Sequence, residues 1–415
     1  MGGKGEIIAG LDIGTTKICL IIGEVDRHGA IDILGVGTSP SHGLKRGIVV
    51  DLESTVNSIE QARKNAEAMA GCKIDSVYVG IAGGHISSLN NRGVVTVTGE
   101  DKEISSDDLN RVLESTKNIS LSSEREIIHI LPREFIVDGY GGIKDPLGMS
   151  GLRLEVEAHI ITGASTAIAN VAKSVKRAGL GIEEIVLQPV ASAEAVLTPA
   201  EKELGVILVD IGGGTTDIAI FSRGNIWHTA VLPIGGNHVT NDIAIGLRTS
   251  LSKAEGLKIN YGQALSYLVD PREFIEVISA SETEVRGIER SFLSEIIEAR
   301  MQEIFGLVAM EVKRSGYKDY VAGGIVITGG ASLLPGLTDL VSKRLGLPVR
   351  VGYPGNIKGV VEGINSPVYA TAVGLVQYGV NYGVELGDEE KDSEDEMPLL
   401  ENVWQYIKNW FKDFF

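Results

Sequence analysis

The chain has 415 residues, a length that predicts two to four domains, and 43% of them are hydrophobic, which is enough for a sizeable core. Its formal net charge of −17 would repel the phosphates of a nucleic acid, so we predict no nucleic-acid partner. The two cysteines, Cys19 and Cys72, form no CxxC pair and the histidines are scattered, which argues against a disulfide framework and against a histidine metal site.

The first predicted element is a β-hairpin with a glycine-rich turn, in the segment LDIGTTK at 11–17 and the apolar residues on either side. Glycine lets backbone N–H groups approach a ligand closely, and the hydroxyls of Thr15 and Thr16 and the ammonium of Lys17 would add donors. Such a set of donors suits phosphate oxygens. Asp12, at the end of the strand, repels phosphate but can hold Mg²⁺, usually through water.

The pattern changes between Gly84 and Gly163, which predicts a small α/β subdomain inserted in the first domain. A helix is predicted at 105–118, because Ser105 and the polar residues after it are good N-cap residues. Alternating strands are predicted on its C-terminal side. The alternative is a decorated loop, but the segment is too long for one.

A second glycine-rich hairpin is predicted in VDIGGGTTDIAIF at 209–221. Its Asp210 lies 198 residues after Asp12 (210 − 12 = 198), and a glycine and threonine turn follows both aspartates. Two copies at this spacing predict two homologous domains whose hairpins clamp a magnesium-bound polyphosphate from both sides. The alternative is a pair of unrelated tight turns.

Three further segments fit this predicted site. Gln188 lies between a predicted strand and a predicted helix. Glu255 and Lys258 lie on one helix face, where they are either ligand contacts or a solvated ion pair. The segment 325–336 is a predicted strand that enters a Gly-Gly turn and a helix, which suits close backbone approach to a base or ribose.

The end of the chain has two parts. The segment 385–396 is acidic and nearly free of apolar residues, so we predict an unfolded tether. After it, an amphipathic helix is predicted, with two of the three tryptophans of the chain on its apolar face. The alternatives are packing on the protein's own core or in a partner's groove. We predict that it binds a membrane surface through Trp404, Ile407, Trp410, Phe411, Phe414 and Phe415.

In this order, the segments resemble the ATPase superfamily of actin, the chaperones and the sugar kinases. The whole chain resembles one branch more closely, the FtsA family of bacterial cell-division proteins. The segments that carry the resemblance are LDIGTTK (11–17), the region 85–161, QPVASAEAVL (188–197), VDIGGGTTDIAIF (209–221), LPIGGNHVTNDIA (232–244), ITGGASLLPG (327–336) and the amphipathic tail.

The resemblance implies an α/β class protein with the actin-like two-domain ATPase fold: duplicated ribonuclease-H-like domains, a small α/β subdomain inserted in the first domain and a C-terminal amphipathic helix. The implied boundaries are 1–84, 164–196 and 360–384 for the first domain, 85–163 for the inserted subdomain, 197–359 for the second domain with a helical subdomain at about 236–316, 385–397 for the acidic linker and 398–415 for the membrane-targeting helix.

The resemblance also implies ATP and Mg²⁺ as cofactors and gives roles to individual residues. Asp12 and Asp210 match the magnesium-side carboxylates, which act through water, and Gln188 matches the residue that positions water near the terminal phosphate. Asp210 is also the best candidate for a base, although Mg²⁺ would compete for it. The implied ATP contacts are Gly14, Thr15, Thr16 and Lys17 in the first phosphate loop, Gly212, Gly213, Gly214 and Thr215 in the second, Gly235, Gly236, Asn237, Glu255 and Lys258 at the ribose and adenine, and Gly329, Gly330 and Ala331 in the adenosine loop.

For function, the resemblance implies an adaptor that polymerises into actin-like filaments and links FtsZ, the tubulin-like ring protein, to the membrane. Arg300 and Glu303 match the surface that receives the C-terminal peptide of FtsZ, and the inserted subdomain would contact other division proteins. The implied location is the cytoplasmic face of the inner membrane at the division septum. At most slow ATP hydrolysis is expected, because no dedicated strong base is visible. The alternatives are a small-molecule kinase and a pilus-assembly ATPase of the same superfamily.

Overall fold

The computed structural model of the chain describes residues 5–26, 28–99, 101–281, 284–359 and 363–383. The acidic linker and the amphipathic helix that the sequence predicts at 385–415 lie outside these residues.

The strands alternate with helices along the chain. In chain order the strands are β1 (Glu6–Ile13), β2 (Lys17–Val25), β3 (Ile31–Pro40), β4 (Leu44–Lys45), β5 (Ile48–Val49), β6 (Ser76–Ile81), β7 (Ser87–Thr96), β8 (Arg125–Val137), β9 (Tyr140–Ile143), β10 (Arg153–Ala164), β11 (Gly181–Leu187), β12 (Val206–Ile211), β13 (Thr216–Ser222), β14 (Asn225–Leu232), β15 (Phe274–Ile278), β16 (Val285–Glu289), β17 (Ile325–Thr328), β18 (Val349–Val351) and β19 (Ile357–Gly359). The helices are α1 (Leu52–Ala70), α2 (Ser106–Ser115), α3 (Ser165–Arg177), α4 (Gln188–Val196), α5 (Pro199–Leu204), α6 (Gly236–Leu247), α7 (Leu251–Tyr261), α8 (Arg290–Ser315), α9 (Leu337–Leu345) and α10 (Ala370–Tyr382).

The two large sheets have the same topology. In the first sheet the strand order is β11-β6-β1-β2-β3-β19, with β1, β2 and β3 antiparallel and β6 and β11 parallel to β1. In the second sheet the order is β18-β17-β12-β13-β14, with β12, β13 and β14 antiparallel and β17 and β18 parallel to β12. The predicted duplication of the ribonuclease-H-like domain is therefore confirmed.

The inserted α/β subdomain is also confirmed. Its sheet has the order β7-β10-β8-β9, and α2 packs against it around a core that contains Leu109, Val112, Phe135 and Val156. Ser105 is the N-cap of α2, as its side chain accepts a hydrogen bond from the backbone N–H of Asp108. The helix then ends at Ser115, three residues before the predicted end.

The second domain contains a helical subdomain built from α6, α7 and α8. The structure adds an antiparallel hairpin of β15 and β16 to it, which the sequence analysis missed. The chain returns to the first sheet at β19, so the crossing between domains lies before Ile357 and not at the expected boundary after 359. Among the described helices, none combines the length and the apolar character needed to cross a membrane.

Two helices, α4 and α10, lie between the large sheets. They share a buried core cluster with residues of both sheets, for example Ile21 of β2 and Leu208 of β12. The helices cross closely at Gly374, where a β-carbon would lie only 1.9 Å from the carbonyl oxygen of Ala191. Glycine is therefore needed at this position, because the obstacle is backbone and cannot rotate away.

The inserted subdomain contacts the second domain as well as the first. The imidazole Nε2 of His159 is 2.9 Å from Oγ1 of Thr229 on β14, and the hydroxyl of Ser88 donates to the carbonyl of Thr229 over 2.7 Å. Nearby, the guanidinium of Arg133 lies 4.3 Å from the ring centroid of Trp227. The inserted subdomain thus bridges the two large domains.

We predict that Gly374→Ala lowers the free energy of unfolding by about 1–3 kcal/mol or more, since overpacking forces α4 and α10 apart. The measurement is equilibrium denaturation in urea. The matched control is Gly256→Ala within α7, where nothing lies within 4 Å of the added β-carbon. The control should be stabilised by about 0.5–1 kcal/mol through helix propensity. Equal effects of the two substitutions would contradict the close crossing.

Candidate functional site

The two glycine-rich turns have the same backbone geometry. In the first, the N–H of Gly14 donates to the carbonyl of Lys17 over 3.1 Å, and in the second the N–H of Gly212 donates to the carbonyl of Thr215 over 3.0 Å. The strand registers also agree, because Asp12 pairs with Cys19 and Asp210 pairs with Asp217. Each hairpin therefore presents a four-residue turn to the space between the domains.

The turns touch each other across the cleft. A β-carbon on Gly213 would lie 1.9 Å from Oγ1 of Thr16, and one on Gly214 would lie 2.5 Å from Oγ1 of Thr15. The hydroxyl of Thr16 also donates to Oδ1 of Asn237 over 3.3 Å, which joins the two domains. Only glycine allows this approach of one turn to the other.

The first turn of α6 holds the second glycine-rich turn in place. The N–H groups of Gly236 and Asn237 donate to the carbonyls of Gly212 and Gly213 over 2.9 and 2.8 Å. Gly235 has no room for a side chain, because a β-carbon would lie 2.6 Å from the carbonyl oxygen of Gly212. These bonds turn the carbonyls of the loop toward the helix and leave the other side of the loop to the cleft.

A cavity of about 500 Å³ lies beside the two turns. The structure brings nearly all the residues predicted for ATP and Mg²⁺ to its wall, and the exception is Gly235, which lies behind it. The predicted residues on the wall are Asp12, Gly14, Thr15, Thr16, Lys17, Gln188, Asp210, Gly212, Gly213, Gly214, Thr215, Gly236, Asn237, Glu255, Lys258, Gly329, Gly330 and Ala331.

Three carboxyl groups share the floor of the cavity. Burial raises the pKa of Asp12 to about 7, with the charge of Lys17 opposing this effect and the charge of Asp210 adding to it. Burial likewise raises the pKa of Asp210. The pKa of Asp217 is raised well above its usual value by burial and by the charge of Asp210. A group of carboxyls in this state favours a cation beside it.

Each carboxyl group of the floor has a defined partner. Oδ1 of Asp12 accepts a hydrogen bond from Nε2 of Gln188 over 2.9 Å. Oδ2 of Asp210 accepts from the hydroxyl of Ser192 over 2.6 Å and from the hydroxyl of Thr371 over 3.2 Å. Gln188 therefore contacts the carboxylate of Asp12, while α4 and α10 both contact the carboxylate of Asp210.

Asp217 was missed by the sequence analysis. Its Oδ2 accepts a hydrogen bond from Oγ1 of Thr215 over 3.0 Å, and its buried Oδ1 has no hydrogen-bond partner among the described residues. The signal for it was present, because a carboxylate interrupts an apolar strand directly opposite Asp210. The corresponding position in the first hairpin is Cys19, so the repeat alone did not point to it.

The side chains of the cavity could supply only some of the ligands of a Mg²⁺ ion. No group of three or more His, Cys, Asp or Glu side chains forms a metal cage in the described part of the chain. Mg²⁺ ordinarily keeps several waters and takes one or two carboxylates plus phosphate oxygens. Asp12 and Asp210, with the unpartnered Oδ1 of Asp217 nearby, match a Mg²⁺ site completed by water and phosphate oxygens.

The two lysines of the cavity already have partners. The ammonium of Lys17 donates to the carbonyl of Val368 over 2.9 Å and lies 4.1 Å from the ring centroid of Tyr369. The ammonium of Lys258 is 2.7 Å from Oε2 of Glu255 and donates to Oγ1 of Thr240 over 2.8 Å. Glu255 and Lys258 thus form an ion pair, and the pair also lines the cavity.

The side of the cavity away from the carboxyl groups is apolar. Gly329, with φ of 81°, packs against Asp210, and a β-carbon there would lie 2.4 Å from Oδ1 of that carboxyl group. Beyond it the wall is formed by Leu333 and Pro335, which belong to the predicted segment 325–336, and by Ile259, which the sequence analysis missed. Ile259 is 71% exposed and Leu333 46% exposed, so an apolar surface is left uncovered where a flat ring could stack.

The residues predicted for a partner peptide lie outside this cavity. Arg300 on α8 binds the carboxylate of Asp242 through Nε and Nη2, over 2.5 and 3.0 Å, and its Nη1 binds Glu303 over 2.5 Å. The predicted membrane residues of the tail lie beyond the described part of the chain.

Comparison with solved structures places the fold. The chain is similar to the structure of the PilM-PilN type IV pilus biogenesis complex, with a TM-score of 0.65 at 17% identity over 90% of this chain and 98% of that one. It is also similar to MreB5 of Spiroplasma citri bound to AMPPNP, with a TM-score of 0.53 at 14% identity over 90% and 96% of the two chains. At these identities the similarity concerns the fold, which is the actin-like fold that the sequence predicts.

Comparison with known sequences gives the family. Residues 207–374 match the model of the cell division protein FtsA, and residues 83–162 match the model of the SHS2 domain inserted in FtsA. The chain is 45% identical to the cell division protein FtsA of Pseudomonas aeruginosa over 98% of this chain and 99% of the relative. It is 42% identical to that of Neisseria meningitidis over 98% of both chains. The chain therefore belongs to the FtsA family of cell division proteins.

Proposed function

We propose that this chain is an ATP-binding cytoskeletal adaptor of cell division, which polymerises, binds FtsZ and anchors the division ring to the cytoplasmic face of the inner membrane at the septum. One observation carries the nucleotide part of the proposal. Two glycine-rich turns with the same hydrogen-bond pattern, three buried carboxyl groups and an apolar wall converge on one cavity between the domains. This combination suits a nucleotide with its phosphates at the turns and its base at the wall.

Nucleotide binding would require a change in the contact between the two turns. Thr15 and Thr16 touch Gly213 and Gly214, so phosphate groups would have to part the two turns. A solved relative in fold, MreB5 of Spiroplasma citri, is described as bound to AMPPNP and as bound to ADP. We therefore propose that ATP moves the two domains slightly apart at the turns and replaces their direct contact.

Asp12 and Asp210 would hold Mg²⁺ through water, and the ion would neutralise charge on the phosphates. Gln188 donates to Asp12 and lines the cavity, so its amide could orient a water molecule toward the terminal phosphate. Oδ2 of Asp210 already accepts two hydrogen bonds, from Ser192 and Thr371, which oppose the rise in the pKa of Asp210 that burial causes. Slow hydrolysis, or binding alone, follows from the lack of a stronger base.

The adaptor part of the proposal rests on the family and on surfaces outside the cavity. Arg300 and Glu303 belong to an ion-pair network with Asp242, and we propose that the C-terminal peptide of FtsZ binds there. We propose that other division proteins contact the inserted subdomain. The linker 385–397 and the helix 398–415 would tether the filament to lipid, with Trp404 and Trp410 at the headgroup boundary. Many tails on one filament would bind lipid by avidity.

The magnesium-side role of Asp210 predicts a variant with a specific defect. We expect Asp210→Asn to weaken ATP binding in Mg²⁺ by about tenfold or more, because one carboxylate of the site is lost. In EDTA the variant and the wild type should differ little. The measurement is isothermal titration calorimetry, with Asp75→Asn, an exposed aspartate, as the matched control. A wild type that binds no nucleotide would refute the proposed function.

The tail predicts a membrane assay with a face-specific control. We expect removal of 398–415 to abolish co-sedimentation with anionic liposomes, and Trp404→Ala with Trp410→Ala to reduce it about tenfold or more, since two interfacial anchors are lost. Gln405→Ala with Asn409→Ala, on the predicted polar face, should change little. Binding should be tighter in ATP than without nucleotide if polymerisation multiplies the tails. Unchanged sedimentation of the truncated chain would contradict the membrane role.

A further inference from the structure

A short hairpin closes one side of the cavity entrance. It consists of β4 and β5, with Arg46 and Gly47 in the turn between them. Gly47 lines the cavity, and its N–H donates to Oγ1 of Thr15 over 3.1 Å. The turn of this hairpin is thus hydrogen-bonded directly to the first glycine-rich turn.

Packing fixes the position of the hairpin turn. Gly47 has φ of 77°, and a β-carbon on it would lie 2.5 Å from the carbonyl oxygen of Ala82. On the strands, Leu44 and Val49 pack against the core of the first domain. Arg46 itself has φ of 52°, a left-handed conformation that residues with a β-carbon rarely adopt. Positive φ at both central residues is the geometry of a two-residue hairpin turn, so the backbone at Arg46 is fixed by the hairpin.

Arg46 has no anionic partner among the residues that the structure describes. Burial lowers the pKa of His238, and the charge of Arg46 lowers it further, so Arg46 acts electrostatically on the first turn of α6 in the second domain. The charge of Arg300 acts on the same imidazole. The acid of this region, Asp242, is already bound by two nitrogens of Arg300. Within the described ranges, Arg46 is exposed and forms no hydrogen bond or ion pair.

The charge balance of the cavity leaves a role for this arginine. The lysines on the wall, Lys17 and Lys258, already have partners, a backbone carbonyl for Lys17 and Glu255 for Lys258. A triphosphate at the turns would bring several more negative charges into this space. The first turn of α6, on which the charge of Arg46 acts, is also a region where an anion is favoured.

We infer that Arg46 binds the terminal phosphate of the bound nucleoside triphosphate and thereby distinguishes it from the diphosphate. The inference rests on the proposed function and adds a specificity-determining residue to it. A guanidinium donates two parallel hydrogen bonds to phosphate oxygens, which makes it better suited to this task than an ammonium. A diphosphate, shorter by one phosphate, would leave Arg46 without its partner.

The test compares the affinities of ATP and ADP in Mg²⁺ by isothermal titration calorimetry on the full chain. We expect Arg46→Ala to weaken ATP binding by about 10- to 100-fold, the range for a hydrogen bond to a charged group, and to change ADP binding by less than about twofold. Arg46→Lys should fall between, since it donates from a single point. The matched control is Lys45→Ala, which removes an exposed charge from the same hairpin and should leave both affinities unchanged.

A second variant tests whether the loss of ATP binding in Arg46→Ala comes from a folding defect. Arg46→Gly suits the left-handed backbone better than alanine, and it should lose ATP preference to the same degree. Equal losses for ATP and ADP, or no loss in either variant while the wild type binds both nucleotides, would overturn this inference and leave the proposed function standing. A wild type that binds neither nucleotide would overturn both.

Discussion

The direct contact between two backbone turns is the constraint on which the site depends. Gly213 and Gly214 lie against Thr15 and Thr16 with no space for a side chain on the glycines. On the cavity floor beside this contact, burial raises the pKa of Asp12 and the charge of Asp210 raises it further. A ligand that enters between the turns must replace the contacts between them with contacts of its own. The carboxyl groups that favour a cation therefore lie next to the contact between the turns that phosphate groups would have to separate.

Helix α10 contacts the site at one end and distant parts of the molecule further along. Near its start, Thr371 donates to Asp210 of the second domain. Further along, the hydroxyl of Tyr378 donates to Glu184 of the first sheet over 2.9 Å, and at its end Tyr382 packs against the core of the inserted subdomain. A movement of Asp210 therefore acts on a helix that contacts all three units. The linker that we propose to lead to the membrane follows directly after it.

The inserted subdomain is more than a decoration of the first domain, because it also bonds to the second. His159 reaches Thr229 from one side, and burial lowers its pKa to about 3, so the imidazole stays neutral. Arg133 stacks on Trp227 of the same strand, β14. Any rotation of the large domains must preserve or break these contacts. The position of the inserted subdomain therefore depends on both large domains.

The sequence by itself determined the hairpins, their repeat and the polar residues at strand ends, because these features follow from local rules of turn chemistry and alternation. Positions in predicted elements also pointed to Gln188 and Lys258, although their roles came from the resemblance to the family and an ion pair stayed open for Lys258. The tertiary structure decided the rest. Asp217, Thr371 and the apolar wall at Ile259 became part of the site only through neighbours distant in the chain. Burial and close approach, which set a pKa or leave a surface uncovered, are properties of the packed chain and leave no periodic trace in the sequence.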